Sequence, residues 1–342
     1  MKLVDFDYFL PPERIARYPL NQRRDSRLLC LNTVSQSISH SQFPEILYLI
    51  DEGDLLVFND TKVIPARLIG NRKTGGKVEV FVERILDEHR ILAQVRASKS
   101  LPIGEKLYFA QDTSLIILDK RDQFFELQSS INSIPIVELI ELIGQIPLPP
   151  YLHRIPEEQD KDRYQTIYAK HKGSVAAPTA GFHFDQNMLS ALVNKGVNMG
   201  YLTLHIGAGT FSPVRVDEIK QHHMHAEFFE VSEELCELIR LTKAKGHRVI
   251  SVGTTTLRAL EAASQSGETL PFRGETNIFI YPSYQFHSSD ALITNLHLPR
   301  STLLMLVCAF GGYDLVMRAY REAVDQSYRF YSYGDAMWIN RK

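Results

Sequence analysis

The order of apolar and polar positions divides the chain into two kinds of pattern. From residue 62 to 150 the apolar residues come in short runs, at 66–69, 78–82, 91–95, 106–109, 114–118 and 124–127. Gly75-Gly76, Asp87-Glu88 and Pro102-Ile103-Gly104 separate them, as turn residues do. Short strands with turns between them predict a small antiparallel barrel or sandwich, closed by the prolines 147, 149 and 150. Past residue 150 the period lengthens. Asp185 stands as a helix cap before Met188, Leu189, Leu192 and Val193 on one face, with Gly196 beyond the end. Residues 201–206 alternate, Leu202, Leu204 and Ile206 against Tyr201, Thr203 and His205. Ser232 caps a second helix, with acidic Glu233 and Glu234 in its first turn and Gly246 at its end. A strand over 248–252 turns at Gly253 into a helix over 254–263. Strands at 277–281 and 291–294 and helices at 302–310 and 314–325 complete the set. The expected architecture is an α/β main domain, residues 1–61 plus 151–342, interrupted by an antiparallel β-barrel domain over 62–150.

Composition adds bounds. At 342 residues and 44% hydrophobic, the chain has material for two domains. The first seven residues lack the apolar run of a secretory signal, and the longest apolar run, 303–310, is far short of a membrane span. A soluble, cytoplasmic protein without membrane contact is expected. Cys30, Cys236 and Cys308 are odd in number and widely spaced, so neither a disulfide framework nor a cysteine zinc site is indicated. The formal charge of −2 hides two basic stretches. Residues 62–106 hold ten Lys/Arg against five Asp/Glu, and residues 14–27 hold five Arg against Asp25 alone. Such stretches suit a phosphate backbone, although from charge alone solvated surface is the more ordinary explanation.

Half of the twelve histidines lie between residues 171 and 225, among small residues that let a backbone approach a ligand. Gly207-Ala208-Gly209 follows a strand but lacks the third glycine of a dinucleotide fingerprint, and the glycines at 70–77 miss the phosphate-loop spacing. There is no Gly-x-Ser-x-Gly and no His-Glu-x-x-His. His223-x-His225-x-Glu227, alternating as a strand would, offers a divalent-metal site together with His183 and His205; a metal-free acid–base site is the competing reading, and the blander one is that some of these histidines only satisfy core hydrogen bonds. Gly253-Thr254-Thr255-Thr256 puts hydroxyls and free N–H groups at a helix start, with Arg258 one turn on. The stretch from Asn295 through His297 to Arg300 runs from a strand end into another helix start, and residues 328–335 mix aromatics with Arg329 as base-stacking surfaces do, with aromatic core packing as the ordinary alternative.

Several of these strings together resemble the S-adenosylmethionine:tRNA ribosyltransferase-isomerases of queuosine biosynthesis. The resemblance rests on Asp5-Phe6-Asp7-Tyr8, Pro11-Pro12-Glu13-Arg14, residues 58–68, residues 174–184, residues 204–211, Met224-His225-Ala226-Glu227, Val252-Gly253-Thr254-Thr255, residues 294–299 and residues 328–337. It spans nearly the whole chain in order. It implies an α/β domain with an inserted β-barrel. It also implies transfer and isomerisation of the ribosyl part of S-adenosylmethionine onto the aminomethyl group of a deazaguanine in the tRNA anticodon loop. The products would be epoxyqueuosine, adenine and methionine.

That chemistry needs a base for the ribose carbon bearing the sulfonium, a proton donor for adenine and a neutral amine. His205 or His183 is expected as the base, and His225 with Glu227 as the orienting or acid pair. Phe182 or Phe211 is expected to face the sulfonium, and Glu227 or Asp60 the ribose hydroxyls. Gly207, Gly209, Thr254 and Thr255 belong to the same site, and Arg215, Arg258 or Arg300 would hold the methionine carboxylate. Lys62, Arg67, Arg72, Lys73 and Lys77 are expected to contact tRNA phosphates. S-adenosylmethionine is then a co-substrate, with no bound metal and no permanent cofactor, and the protein acts as a monomer. Two rivals stand beside this reading. One is a metal-dependent hydrolase built on His183, His205, His223, His225 and Glu227; the other is a non-catalytic RNA-binding module.

Overall fold

The computed structural model describes residues 1–131, 133–211 and 213–341, with Ala208 and Phe211 given by backbone only. Nine strands form one mixed sheet. Their spatial order is Phe272–Thr276, Glu227–Val231, Asn198–Leu204, Leu55–Asn59, Val249–Val252, Ala291–Asn295, Ala336–Asn340, Arg27–Asn32 and Ser37–Gln42. The four strands from Asn198–Leu204 to Ala291–Asn295 are parallel. Numbered along the chain those four lie in the order 2-1-3-4, so the winding direction reverses beside Leu55–Asn59. In a doubly wound sheet a crevice opens beyond the carboxyl ends of the strands at such a reversal.

Leu55–Asn59 is buried at every position. Leu56 and Phe58 pack into one core with Phe184, Met188, Leu192 and Trp338. Leu55 and Val57 face the other, with Leu202, Leu235, Ile239 and Leu260. A strand covered on both sides needs no polar face, so it shows no alternation in the sequence. Helix Gln186–Asn194 covers the first side; Glu233–Ala244 and Thr254–Ala263 cover the second. The expected caps are in place. Asp185 Oδ1 accepts from Met188 N at 2.8 Å and Ser232 Oγ from Leu235 N at 3.2 Å. No single helix among the described residues is long and apolar enough to cross a membrane.

The inserted segment is a closed six-stranded antiparallel barrel. Its order is Arg67–Arg72, Lys77–Ile85, Arg90–Ala97, Phe124–Ser129, Ser114–Arg121 and Lys106–Tyr108, returning to the first strand through Asn71–Tyr108 and Arg72–Leu107. Helix Ile136–Ile143 sends Ile136, Leu139 and Ile140 into the barrel core beside Leu68, Val80 and Leu127.

Three local expectations fail. The strand expected at 277–281 lies at Phe272–Thr276, paired with Glu227–Val231; Ile280 is buried in irregular chain and the Ile278 carbonyl accepts from Arg258. Regular strand begins only at Glu227, so His223 and His225 share no strand face with it. In the 328–335 stretch Tyr328, Phe330 and Tyr333 are buried as core packing rather than an open stacking surface, and Tyr331, itself mostly buried, is the aromatic of the four that reaches the cleft.

Candidate active site

The crevice at the winding reversal is a cleft of two lobes, about 300 and 490 Å³ in volume. Thr210, Pro213, Thr254, Thr255, Thr302 and Leu303 line both, so the lobes are continuous. Such volumes suit a small organic substrate. Val249–Val252 ends at Gly253, whose φ of +99° only glycine adopts at low cost, and the chain passes straight into helix Thr254–Ala263. The cleft therefore has a helix N-terminus in its floor, where free N–H groups and the helix dipole favour an anion or polar oxygen.

His222, His223, His225 and Arg215 line the first lobe. Close backbone approach sets this wall: a Cβ on Gly209 would lie 2.4 Å from the His225 ring, and one on Gly207 2.6 Å from Glu83 Oε1. The tip of a barrel hairpin closes the lobe from above, with Gln123 in its lining and Phe124 edge-on to His225 at 6.4 Å between ring centres. Beneath the histidines Glu227 and Arg258 form a buried ion pair. Glu227 also accepts from Gly207 N at 3.3 Å, and Arg258 Nε donates to the Ile278 carbonyl at 3.0 Å. Burial pushes the Glu227 carboxyl above its ordinary value, and Arg258 opposes that.

Arg258 is thus committed, and a free methionine carboxylate would have to displace Glu227 to reach it. Arg300 lines the second lobe but pairs with Asp7. Of the three expected anchors Arg215 alone has no ion pair among the described residues, and it is exposed. The second lobe holds Tyr151, Asn295, His297, Tyr331 and Ser332; Asn295 and His297 come from the strand-to-helix stretch and Tyr331 and Ser332 from the aromatic stretch that the sequence singles out, whereas Tyr151 was not expected. The Tyr151 and Tyr331 rings lie 4.0 Å apart, and Tyr151 Oη pairs with Ser332 Oγ at 2.5 Å. Burial holds His297 down at about 3. His297 is foreshadowed by the strand-to-helix stretch containing it; Gln123 has no signal in the sequence, because the barrel brings it from far along the chain.

Five expected site residues do not line the cleft. His183 is buried, its Nδ1 2.7 Å from Ser26 Oγ and its Nε2 3.3 Å from Asn295 Nδ2. Burial, then Arg23 and Arg329, lower its pKa to about 3. Phe182 packs between Tyr164 and Tyr333. His205 stacks on Phe228 with Nδ1 2.7 Å from Thr61 Oγ1, and burial holds it at about 4. Asp60 accepts from Thr203 at 2.7 Å beside His171, burial raising its carboxyl. Gly207 meets Glu83 instead of the cleft. The Phe211 side chain lies outside the described residues.

On the barrel, Arg67 is paired with Glu79 and Arg72 bidentately with Glu105, which spends both charges. Lys62, Lys73 and Lys77 have no ion pair among the described residues, with Lys73 and Lys77 exposed. The metal-hydrolase rival needs five residues to converge, and they do not: His183 meets Ser26, His205 meets Thr61 and Glu227 meets Arg258. Among the described residues no three His, Cys, Asp or Glu form a metal-holding group.

A doubly wound sheet with a substrate-sized crevice at its winding reversal, bordered by an inserted barrel, is an architecture that fits an α/β enzyme. The family model described as queuosine biosynthesis protein matches residues 3–339, and the chain belongs to that family. Among solved structures it is similar to an S-adenosylmethionine tRNA ribosyltransferase from Thermotoga maritima. The two are 36% identical, with 98% of this chain and 99% of that chain covered and a TM-score of 0.56.

Proposed function

We propose that the chain is an S-adenosylmethionine:tRNA ribosyltransferase-isomerase. It moves the ribosyl part of S-adenosylmethionine onto the aminomethyl-deazaguanine of a tRNA anticodon loop and isomerises it. Epoxyqueuosine-tRNA, adenine and methionine result. The observation that carries this is the two-lobed cleft, whose floor is the Thr254–Thr255 helix start and whose first wall is the 222–225 histidine loop, in a chain of the queuosine biosynthesis family.

The first lobe takes S-adenosylmethionine. Arg215 is the free cation for its carboxylate, and the helix start with Thr254 and Thr255 takes ribose oxygens. His225 is the general base: it removes a proton from the ribose carbon bearing the sulfonium and returns it to the departing adenine. Glu227, held by Arg258 and Gly207 N, fixes the strand start two residues beyond that imidazole. The amine bonds to the carbon that adenine leaves and gives one proton to solvent; the deprotonated carbon closes the five-carbon ring onto that same carbon, and the ring oxygen freed from it displaces methionine as the epoxide closes. The second lobe, with Tyr151 and Tyr331, takes the unstacked RNA base. His183 and His205 are positioning residues in this scheme, because their rings are spent on Ser26, Asn295 and Thr61. The enzyme acts as a monomer in the cytoplasm, where its tRNA is.

Incubation of the full chain with S-adenosylmethionine and tRNA carrying the precursor base tests this directly. Free adenine is expected from the wild type and none from a folded His225→Ala variant. No adenine from wild type with correctly modified tRNA would sink the reading; full release by His225→Ala would remove His225 from its role.

A further inference from the structure

Away from the cleft lining, five arginines gather along the N-terminal segment with few carboxylates to meet them. Arg14, Arg17 and Arg23 belong to that segment, which lies against Phe330 through Ala16 N and the Arg14 carbonyl. Arg163 ends the short turn Asp160–Arg163, and Arg329 precedes Phe330. Their hydrogen bonds go to carbonyl oxygens. Arg329 Nη2 donates to Tyr18 O at 2.5 Å, Arg163 to Leu20 O at 2.7 Å and Asn21 O at 3.2 Å, and Arg23 Nη2 to Asp162 O at 2.9 Å.

No ion pair neutralises any of the five among the described residues. The carboxylate of Asp335 is taken by the backbone N–H groups of Arg27 and Arg329. Among the described residues Arg14 Nε, Arg23 Nη1, Arg163 Nε and Arg329 Nη1 are buried donors without a hydrogen-bond partner. Burial lowers the Arg23 and Arg329 pKa values, with neighbouring Arg163 adding to the effect on Arg23, and Asp162 and Asp335 offset this only in part. Clustered, partly desolvated guanidiniums that no carboxylate meets in an ion pair are costly unless an anion completes them.

The surroundings say which anion. Arg17 and Arg329 line an open groove with Tyr18, Pro19 and the single carboxylate of Glu13; Arg23 and Arg163 line a shallow hollow that meets it at Pro19 and reaches to Ser332. Ser332 also lines the second lobe of the cleft. The basic track and the lobe that takes the RNA base thus share Ser332 in their walls. Exposed Tyr18, backed by the Arg154 guanidinium at 4.4 Å, adds an aromatic face beside it.

We propose that this arginine groove binds the phosphodiester backbone of the RNA substrate next to the nucleotide inserted in the cleft. The inference rests on the RNA-modifying function and adds where the strand lies. It moves the phosphate contacts from Arg67 and Arg72, whose charges are already paired, to the N-terminal segment.

The test uses the full chain with Arg17→Gln and Arg17→Gln/Arg23→Gln. Arg17 is exposed and its side chain makes no ion pair among the described residues, so the single variant keeps the fold even if the double does not. tRNA binding is titrated from low to high salt, and adenine release is followed with each substrate varied in turn. The double variant should bind on the order of tenfold more weakly at low salt and flatten the salt slope by about 1.4, at about 0.7 for each single-strand phosphate that no longer meets a cation. Arg17→Gln should give about half that change in slope. KM for tRNA should rise in both, with KM for S-adenosylmethionine unchanged. If wild type binds tRNA and releases adenine while both variants keep its salt slope and KM, the groove proposal is overturned and the function stands. A wild type that neither binds tRNA nor releases adenine overturns the function itself. If millimolar inorganic phosphate raises the melting temperature of wild type alone while tRNA binding is the same in all, the groove is a small-anion site and the proposal is again overturned.

Discussion

His183 measures how firmly this fold holds a histidine neutral. Its Nε2 faces Asn295 Nδ2, and that amide is oriented because the same nitrogen donates to the Tyr331 carbonyl at 3.1 Å while its oxygen accepts from Thr179. Nε2 is therefore the acceptor, and Nδ1–H donates to Ser26 Oγ. A second proton would sit against amide hydrogens, away from water and near Arg23 and Arg329. The pKa falls accordingly from 6.5 to about 3. Between those values the unfolded chain binds a proton that the folded chain refuses, so the stability this neutral ring contributes is complete above pH 6.5 and drains away as pH falls.

From about pH 7 to about pH 5 the loss is about 2 kcal/mol, and each further unit down towards the folded pKa removes about 1.4 kcal/mol. Raised carboxyl groups such as Asp60 and Asp335 act in the opposite direction on acidification, but they occur equally in a His183→Asn variant and cancel in the difference. Urea unfolding reads that difference through Trp338, the only tryptophan, which shares a core with Ala180 and Phe184 on either side of His183. Wild type should exceed the variant at neutral pH, with the gap narrowing by about 2 kcal/mol by about pH 5. A gap that is constant across this range would refute the neutral, two-partner account of His183.

Two further outcomes follow from the site. Glu227→Gln strands Arg258 as a buried cation and should cost about 3–5 kcal/mol, whereas Glu227→Gln/Arg258→Met should recover much of it; melting temperatures of both decide, and a double variant no more stable than the single would contradict the pairing. Gly209→Ala drives a Cβ into the His225 ring and should abolish adenine release while the main sheet stays folded by Trp338 fluorescence, with Gly76→Ala, whose added Cβ meets nothing closer than 3.5 Å, as the silent control.

Most elements were legible from turn residues, caps and short apolar runs rather than from exposure. The barrel strands come as short apolar runs between turn residues, the caps Asp185 and Ser232 show the side-chain chemistry of a helix start, and Val249–Val252 and Ala291–Asn295 were legible although buried throughout, the first because Gly253 marks its end. Strands Leu55–Asn59 and Ala336–Asn340, buried at every or nearly every position, carry no alternation to mark them. For the site, Gly209, Arg215, His225, Glu227, Thr254, Thr255, Arg258 and Arg300 do line the cleft. What no pattern could show is which charges are already paired. Arg258 and Arg300 look like Arg215 in the sequence; their partners Glu227 and Asp7 arrive only through the fold.

The same distinction divides the histidine-rich stretch. An imidazole useful for proton transfer needs both access and an ordinary basicity, and burial removes both together. His183 and His205 stand where small residues let chain segments close on them: the Gly173 Cα lies so near His205 that a Cβ would come within 2.9 Å of Nε2. The glycines and alanines that first suggest room for a ligand are, at these two positions, room for another part of the protein. At Gly209 close approach has the other result, because it sets His225 against the cleft instead of behind it. The barrel then becomes part of the site. With Phe124 against His225 and Gln123 in the lining, it adds a wall to that lobe and so limits the water that would compete with the RNA amine.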